Sequence, residues 1–347
     1  MISATSRLTS LLASCVMVLA LSLSAAAQQV PSVAPAPKIV PLTHEEIIKK
    51  AMEYDGEDWR NLSLSTSHLR EAEPLLGERD LKQTFTRELY QVKWRGGDPI
   101  DLYVIRPNNV ARPPAVLYLY GYPSETDRFR NDDYCERVTH GGFAAIGFVS
   151  ALTGHRYHTR PMKEWFVSEL DESLVTSVHD VQMILNYLAT RGDIDMDHIG
   201  MLAQGSGATI AILAASVDSR IKAVDLLDPW ADWPNWLAKS AVVPDQERPN
   251  YLKSEFLQRV APFEPIKALP ELKSQKIRIQ HVADDGDTPL AAKKALEAAT
   301  PQDAQIDRYE TASEFTNAVG GGRFFDWIKS QLRPSSKPVA QASSVSK

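Results

Sequence analysis

Chemistry in this 347-residue chain would start at Ser206, a hydroxyl set between Gly205 and Gly207. The stretch Asp197–Ala215 reads as a short apolar run (Ile199–Leu202), a Gly/Ser break, and an Ala/Ile/Leu segment of helical character. Strand, tight turn and helix in that order lift the residue at the turn above the end of a parallel sheet, where a serine can attack an acyl carbon. Acyl transfer also needs a histidine to move the serine's proton, a carboxylate to hold that histidine, and two N–H groups for the oxyanion. Carboxylates crowd the stretch His281–Pro289, at Asp284, Asp285 and Asp287. The eight histidines are His44, His68, His140, His155, His158, His179, His198 and His281, so none follows those carboxylates.

Two further groups have spacing that fits chemistry. His155 and His158 stand close enough to pair on a metal, but they fall in a loop with no Cys or Glu/His cluster beside them. Solvated or loop-packing histidines are therefore expected, and no metal site and no cofactor is assigned. Trp230, Trp233 and Trp236 either line a pocket that stacks sugars or aromatic groups, or fix their segment to the sheet.

The elements that must position these residues follow from periodicity. FTRELYQVKW and IDLYVIRP flank Arg95–Asp98 as a hairpin, and AVLYLYGYP and GFAAIGFVS are continuous apolar runs of the kind buried on both faces. Between the latter two, Asp132–His140 reads as a crossover helix with Cys135 on its inner face. Leu174, Val178, Val181, Ile184, Leu185 and Leu188 mark a long helix ended at Arg191–Asp193. The elbow segment, strand IKAVDLLDP, strand KIRIQHVADD, helix PLAAKKALEAA, strand AQIDRYE and a closing helix GRFFDWIKSQL complete the alternation. Such alternation implies a mostly parallel central sheet flanked by helices, joined by right-handed crossovers. A Trp- and Pro-rich stretch at about 230–270 interrupts it as a helical insertion.

The ends of the chain read differently. Arg7, the apolar stretch Leu11–Leu23 and the small residues Ala25 and Ala27 form a secretory signal over 1–27, cleaved before Gln28. Cys15 sits in a lipoprotein-like Leu12–Cys15 box, but the apolar run continues past it. The mature protein is thus expected in the periplasm or medium, off the membrane, with Cys135 as its one thiol. Residues 28–84 read as a Pro/Ala/Val-rich linker and an N-terminal extension whose helix is capped by Thr43. The main domain spans 85–333, and 334–347 is a tail expected to be disordered. A net charge of -6 without a Lys/Arg block excludes nucleic acid as a natural partner.

Around the elbow the sequence resembles the α/β-hydrolase superfamily, whose pattern there runs Asp-x-Ile-Gly-apolar-x-Gly-x-Ser-x-Gly-Gly. Laid over it without gaps, Ala203 falls on the first Gly, Gln204 on the x and Gly205 on the nucleophilic serine. Ser206 comes one place late, and Gly207 matches the next glycine. The resemblance covers roughly 85–332 and points to the acetyl xylan esterase and dienelactone hydrolase-like branch. It implies an α/β-hydrolase fold. It also implies Asp285 as the acid, with Asp284 and Asp287 as alternatives; Thr288-Pro289 stands where the family has an apolar-Pro pair. In Tyr120-Gly121-Tyr122-Pro123 it implies the Tyr122 N–H as one oxyanion donor, with the Ser206 N–H as the second.

The same resemblance places the histidine after the acid, where this chain reads Tyr309-Glu-Thr-Ala-Ser-Glu-Phe, with Ser313 or Glu314 near the slot. A carboxylate there cannot shuttle a serine proton as an imidazole does. The implied protein is a hydrolase relative with a degenerate triad, binding a small-molecule, carbohydrate or ester ligand, or a partner, at a site built from Tyr122, Ser206, Trp230 and Trp233. The competing reading is an active carboxylic-ester hydrolase or peptidase that uses Ser206, with a histidine from elsewhere such as His281. That reading needs a one-residue slip of the elbow strand, which would turn every side chain to the opposite face. A metal-dependent enzyme is a third reading.

Overall fold

Strand β4 (Pro114–Leu119) shows why the apolar runs form a sheet covered on both sides, since all six of its residues are buried. Ala115, Leu117 and Leu119 enter one apolar cluster, while Val116 and Tyr118 enter another on the opposite face. In the computed structural model the described residues are 46, 56–69, 73–95, 99–122, 126–152, 166–272 and 275–333. The signal segment, the linker, His44 and the Thr43-capped helix apart from Glu46 lie outside them. So do turn residues 96–98, Pro123, His155, His158 and the tail 334–347.

The nine strands of the described residues are β1 (Leu75–Leu81), β2 (Phe85–Val92), β3 (Ile100–Pro107), β4, β5 (Ala144–Phe148), β6 (Asp195–Gln204), β7 (Ile221–Leu227), β8 (Lys276–Val282) and β9 (Gln305–Tyr309). They make one sheet in the order β1-β2-β3-β5-β4-β6-β7-β8-β9. β1 to β3 pair antiparallel, β3 meets β5 antiparallel, and from β5 to β9 every pairing is parallel. The expected hairpin register is present, from Phe85 opposite Pro107 to Val92 opposite Ile100.

Helices cover both faces. On one lie α1 (Asp132–Thr139), with Cys135 buried on its inner side, and the closing α7 (Asp326–Gln331). On the other lie α2 (Leu170–Arg191), ended by left-handed Gly192, and α3 (Ser206–Val217). The 230–270 stretch is helical as expected, with α4 (Trp233–Lys239) followed by short turns at Arg248–Tyr251, Ser254–Val260 and Pro265–Ala268. α5 (Leu290–Ala299) follows β8, and α6 (Ala312–Val319) follows β9.

Two elements depart from the sequence expectation. The sheet begins at β1, inside the stretch read as an extension beside the main domain. β1 is an edge strand almost wholly exposed, so no apolar alternation marks it; ion pairs Arg79–Glu88 and Asp80–Arg87 tie it to β2. α6 lies in a stretch to which the sequence pattern assigns no element. It is only eight residues long, is capped by Thr311 Oγ1 accepting the Glu314 N–H at 3.1 Å, and buries none of its residues. No helix among the described residues is long and apolar enough to cross a membrane.

Candidate active-site cleft

β6 lies at the centre of the parallel sheet and ends at Gln204; α3 begins at Ser206. Between them Gly205 turns the chain with φ 51 and ψ −121. Its N–H donates to Leu227 O at 2.9 Å and its carbonyl accepts from Thr209 N at 3.1 Å, so the turn is fixed to β7 on one side and to its own helix on the other. From Gly200 to Ala203 the register of β6 against β4 and β7 is continuous, so the strand delivers Gly205, not Ser206, to the crest. A serine at Gly205 would have room, since a Cβ there meets nothing nearer than Trp230 Nε1 at 3.4 Å. Gly207 has a separate reason to be small: its Cβ would stand 2.6 Å from Leu119 O, where α3 crosses β4.

Gly205 opens into a cleft of about 470 Å³, lined also by Gly121, Tyr122, Gln204 and Trp230 on one side and by Asp228, Asp284, Asp285, Asp287 and Ala312 on the other. That is the volume of a small-molecule site, at the carboxyl edge of the strands where open α/β sheets bind ligands. Of the residues singled out in the sequence, Gly205, Tyr122, Trp230, Asp285 and its alternatives Asp284 and Asp287 line it together. Ser206 does not: it is 0% exposed, and its Oγ accepts the N–H of Tyr122 at 2.8 Å. Glu314 does not either; its carboxylate closes back on the Glu310 N–H at 2.7 Å. The residue that the loop after β9 turns into the cleft is Ala312.

The two tryptophans part company. Trp230 lines the cleft and packs on Trp236 at 4.6 Å between ring centroids. Trp233 is buried in the insertion, with its Nε1–H donating to Phe263 O at 3.1 Å and its backbone N–H to Glu264 Oε2 at 2.9 Å. It fixes α4 rather than facing a ligand.

Asp285 sits in the turn after β8, where its Oδ2 accepts from Thr288 N at 3.1 Å. Burial, then repulsion from Asp228, pushes its carboxyl above the usual range against the pull of Lys293; Asp287 is raised by the same two causes. Asp284 takes the Ala312 N–H at 3.1 Å, joining the two loops of the acidic wall. Asp228 is the floor carboxylate that the sequence reading missed. It accepts Val282 N at 3.2 Å on both oxygens and faces His281 Nδ1 and Lys293 Nζ, each at 3.3 Å. Its position just past β7 was the available signal, because that is where strand ends meet ligands. Lys293 was readable too, as a lysine on the buried stripe of α5 with Ala292 and Leu296.

Among the described residues no histidine lines the cleft. His281 lies beneath it on β8, its Nε2 3.8 Å from Glu297 Oε1. No group of three or more His, Cys, Asp or Glu among the described residues is placed to hold a metal ion.

No protein-family model matches the sequence. A Bacillus subtilis (strain 168) protein described as putative hydrolase YtaP is 24% identical over 195 residues, which make 50% of this chain and 59% of that protein. The chain therefore matches less than two thirds of that relative's length. Among solved structures, acetyl xylan esterase 1 from Thermoanaerobacterium sp. JW/SL YS485 matches with a TM-score of 0.57 at 15% identity, over 82% of this chain and 99% of that one. The acetyl xylan esterase from Paenibacillus sp. R4 matches over the same shares with a TM-score of 0.59, also at 15% identity. The Pyrococcus horikoshii acylaminoacyl peptidase matches with a TM-score of 0.54 at 14% identity, over 72% of this chain and 40% of that one. Identities this low speak for the fold alone.

Proposed function

We propose that this chain, which has the α/β-hydrolase fold, is an exported ligand-binding protein descended from serine hydrolases, and that it no longer transfers acyl groups. The observation that carries the reading is Gly205 at the crest of the elbow, φ 51 and ψ −121, with no side chain to attack from. An acyl-enzyme needs a nucleophilic oxygen or sulfur there. The absence of an imidazole from the described lining supports the same reading, since neither a serine nor a water then has a general base suited to neutral pH. Two carboxylates of the acidic wall are engaged by backbone N–H groups, Asp285 by Thr288 of its own turn and Asp284 by Ala312 of the loop after β9.

The ligand we infer is a small ester-bearing or carbohydrate molecule. Cleft volume and the acetyl xylan esterase likeness support that class. Export rests on the N-terminal signal pattern; recovery of a mature protein beginning at Gln28 from the periplasm would support it, and a cytoplasmic protein retaining residues 1–27 would refute it.

The deciding experiment uses a fluorophosphonate probe and a panel of short-chain esters. The wild-type protein is expected to show no covalent labelling and ester turnover no faster than buffer. Its melting temperature is expected to rise with acetylated xylo-oligosaccharide, as binding to the folded state requires. Labelling that disappears on Ser206→Ala would establish the competing esterase reading and overturn this one.

A further inference from the structure

The floor of the cleft holds a contact that loss of the nucleophile does not by itself require. In an elbow of this kind the oxyanion is held by the N–H of the residue after the nucleophile and by an N–H from the loop after the neighbouring strand. The first position is Ser206. The second is Tyr122, just past β4, which pairs directly with β6. The two segments touch: Gly121 Cα lies 3.7 Å from where a Cβ on Gly205 would stand, and a Cβ on Gly121 would stand 3.0 Å from Gln204 O. Yet the Tyr122 N–H is aimed at the fully buried Ser206 Oγ, 2.8 Å away, rather than at the space above the elbow.

Resting on the reading that the cleft has left acyl transfer, we infer that Ser206 is a cap on the oxyanion hole. Its hydroxyl oxygen takes the hydrogen bond that a substrate carbonyl oxygen would need. The cap has two consequences. Restoring a nucleophile at residue 205 does not restore acyl transfer while the Tyr122 donor is taken. A bound ligand is not held through a polarised carbonyl between two N–H groups, so the cleft recognises its ligand by other groups. The lining agrees with the second point: among the described residues Asp228, Asp284, Asp285 and Asp287 stand in it without a lysine or arginine, and so repel an anionic oxygen.

The test uses the full mature chain in two arms. In the first, selective isotopic labelling of tyrosine follows exchange of the Tyr122 amide in wild type and in Ser206→Ala. Ser206→Cys, of similar size and a poor acceptor, serves as a second variant should alanine unfold the elbow. Exchange at Tyr122 is expected to quicken about ten-fold or more in the variant, with the rest of the sheet unchanged. In the second arm, residues 205 and 312 are restored together as Gly205→Ser with Ala312→His, with and without Ser206→Ala. Fluorophosphonate labelling is expected to be roughly a hundred- to a thousand-fold faster without the cap, the range expected of one oxyanion donor. Unchanged Tyr122 exchange in both Ser206 variants would overturn the proposal. Equal labelling of capped and uncapped chains, or labelling of neither, would also overturn it. Labelling of the wild-type chain is a different failure: it would sink the lost-catalysis reading, while the amide exchange would still judge the cap.

Discussion

Glycine at the crest of the elbow removes strain together with chemistry. At φ 51 and ψ −121 any side chain costs about 1–3 kcal/mol, so a chain freed from catalysis gains stability by giving it up. Gly205 and Gly207 separate the two reasons for a glycine, conformation at the first and close approach at the second. Gly205→Ala is expected to lower the unfolding free energy by about 1–3 kcal/mol through φ alone, because the space above it is open. Gly207→Ala is expected to lose more, about 3 kcal/mol or above, because its Cβ would overlap Leu119 O and force α3 off β4. Urea unfolding of the two variants checks the order, and a Gly205 variant less stable than the Gly207 one would contradict it. At this scale the turn itself was legible: an apolar run, a Gly/Ser break and an Ala/Ile/Leu segment become β6 ending at Gln204 and α3 opening at Ser206. Ala312 could not be read that way: which residue of the loop after β9 turns inward depends on where α6 begins.

The elements that frame the cleft are fastened by buried acids more than by apolar contact alone. Glu264 reaches across the insertion to accept Asp232 N at 2.8 Å and Trp233 N at 2.9 Å, stabilising a chain that passes through the left-handed region at Asp232 (φ 57). Burial pushes its carboxyl up, and those backbone N–H groups pull it back without cancelling the effect. Glu264→Ala leaves these donors without acceptors at the root of α4, an expected loss of about 1–3 kcal/mol each where the group stays buried. Glu264→Gln, which keeps one carbonyl oxygen, is expected to lose less. Tryptophan fluorescence during denaturation reports the change, because Trp230, Trp233 and Trp236 are all buried in this segment. The sequence marked the insertion by its Trp and Pro content. It did not show that Trp233 belongs to the packing and Trp230 to the cleft, because both have the same composition signal and differ only in which way α4 faces.

At the scale of the molecule, a buried charge network joins Glu57, ahead of the first strand, to Arg95 just past β2 and to α2. Arg95 binds Glu57 and Asp180, and His179 Nδ1 lies 2.7 Å from Glu57 Oε1, with its Nε2 2.8 Å from Asn61 O. Burial would raise the Glu57 carboxyl, but the Arg95 guanidinium and His179 outweigh it and hold it well below the usual carboxylate range. A carboxyl depressed in the folded state adds stability that is complete above its ordinary value of 4.5 and drains away as pH falls through and below it. Wild-type melting temperature is therefore expected to drop steeply on acidification below that value. Glu57→Gln is expected to lose about 3–5 kcal/mol at neutral pH, as removal of one partner of a buried ion pair does, and to show a shallower acid slope. Equal slopes for the two proteins would show that Glu57 is not the group responsible.

Local pattern determined the order of strands and helices from β2 onward, α6 apart, and the two-sided burial of β4 and β5, because each depends on residues a few positions apart. Sheet order, the outermost strand β1, the burial of Ser206 against Tyr122 and the meeting of Asp228 with Lys293 were decided only in three dimensions. Each joins residues from separate strands, loops or helices, and an exposed edge strand or a satisfied buried hydroxyl leaves no periodicity along the chain to read.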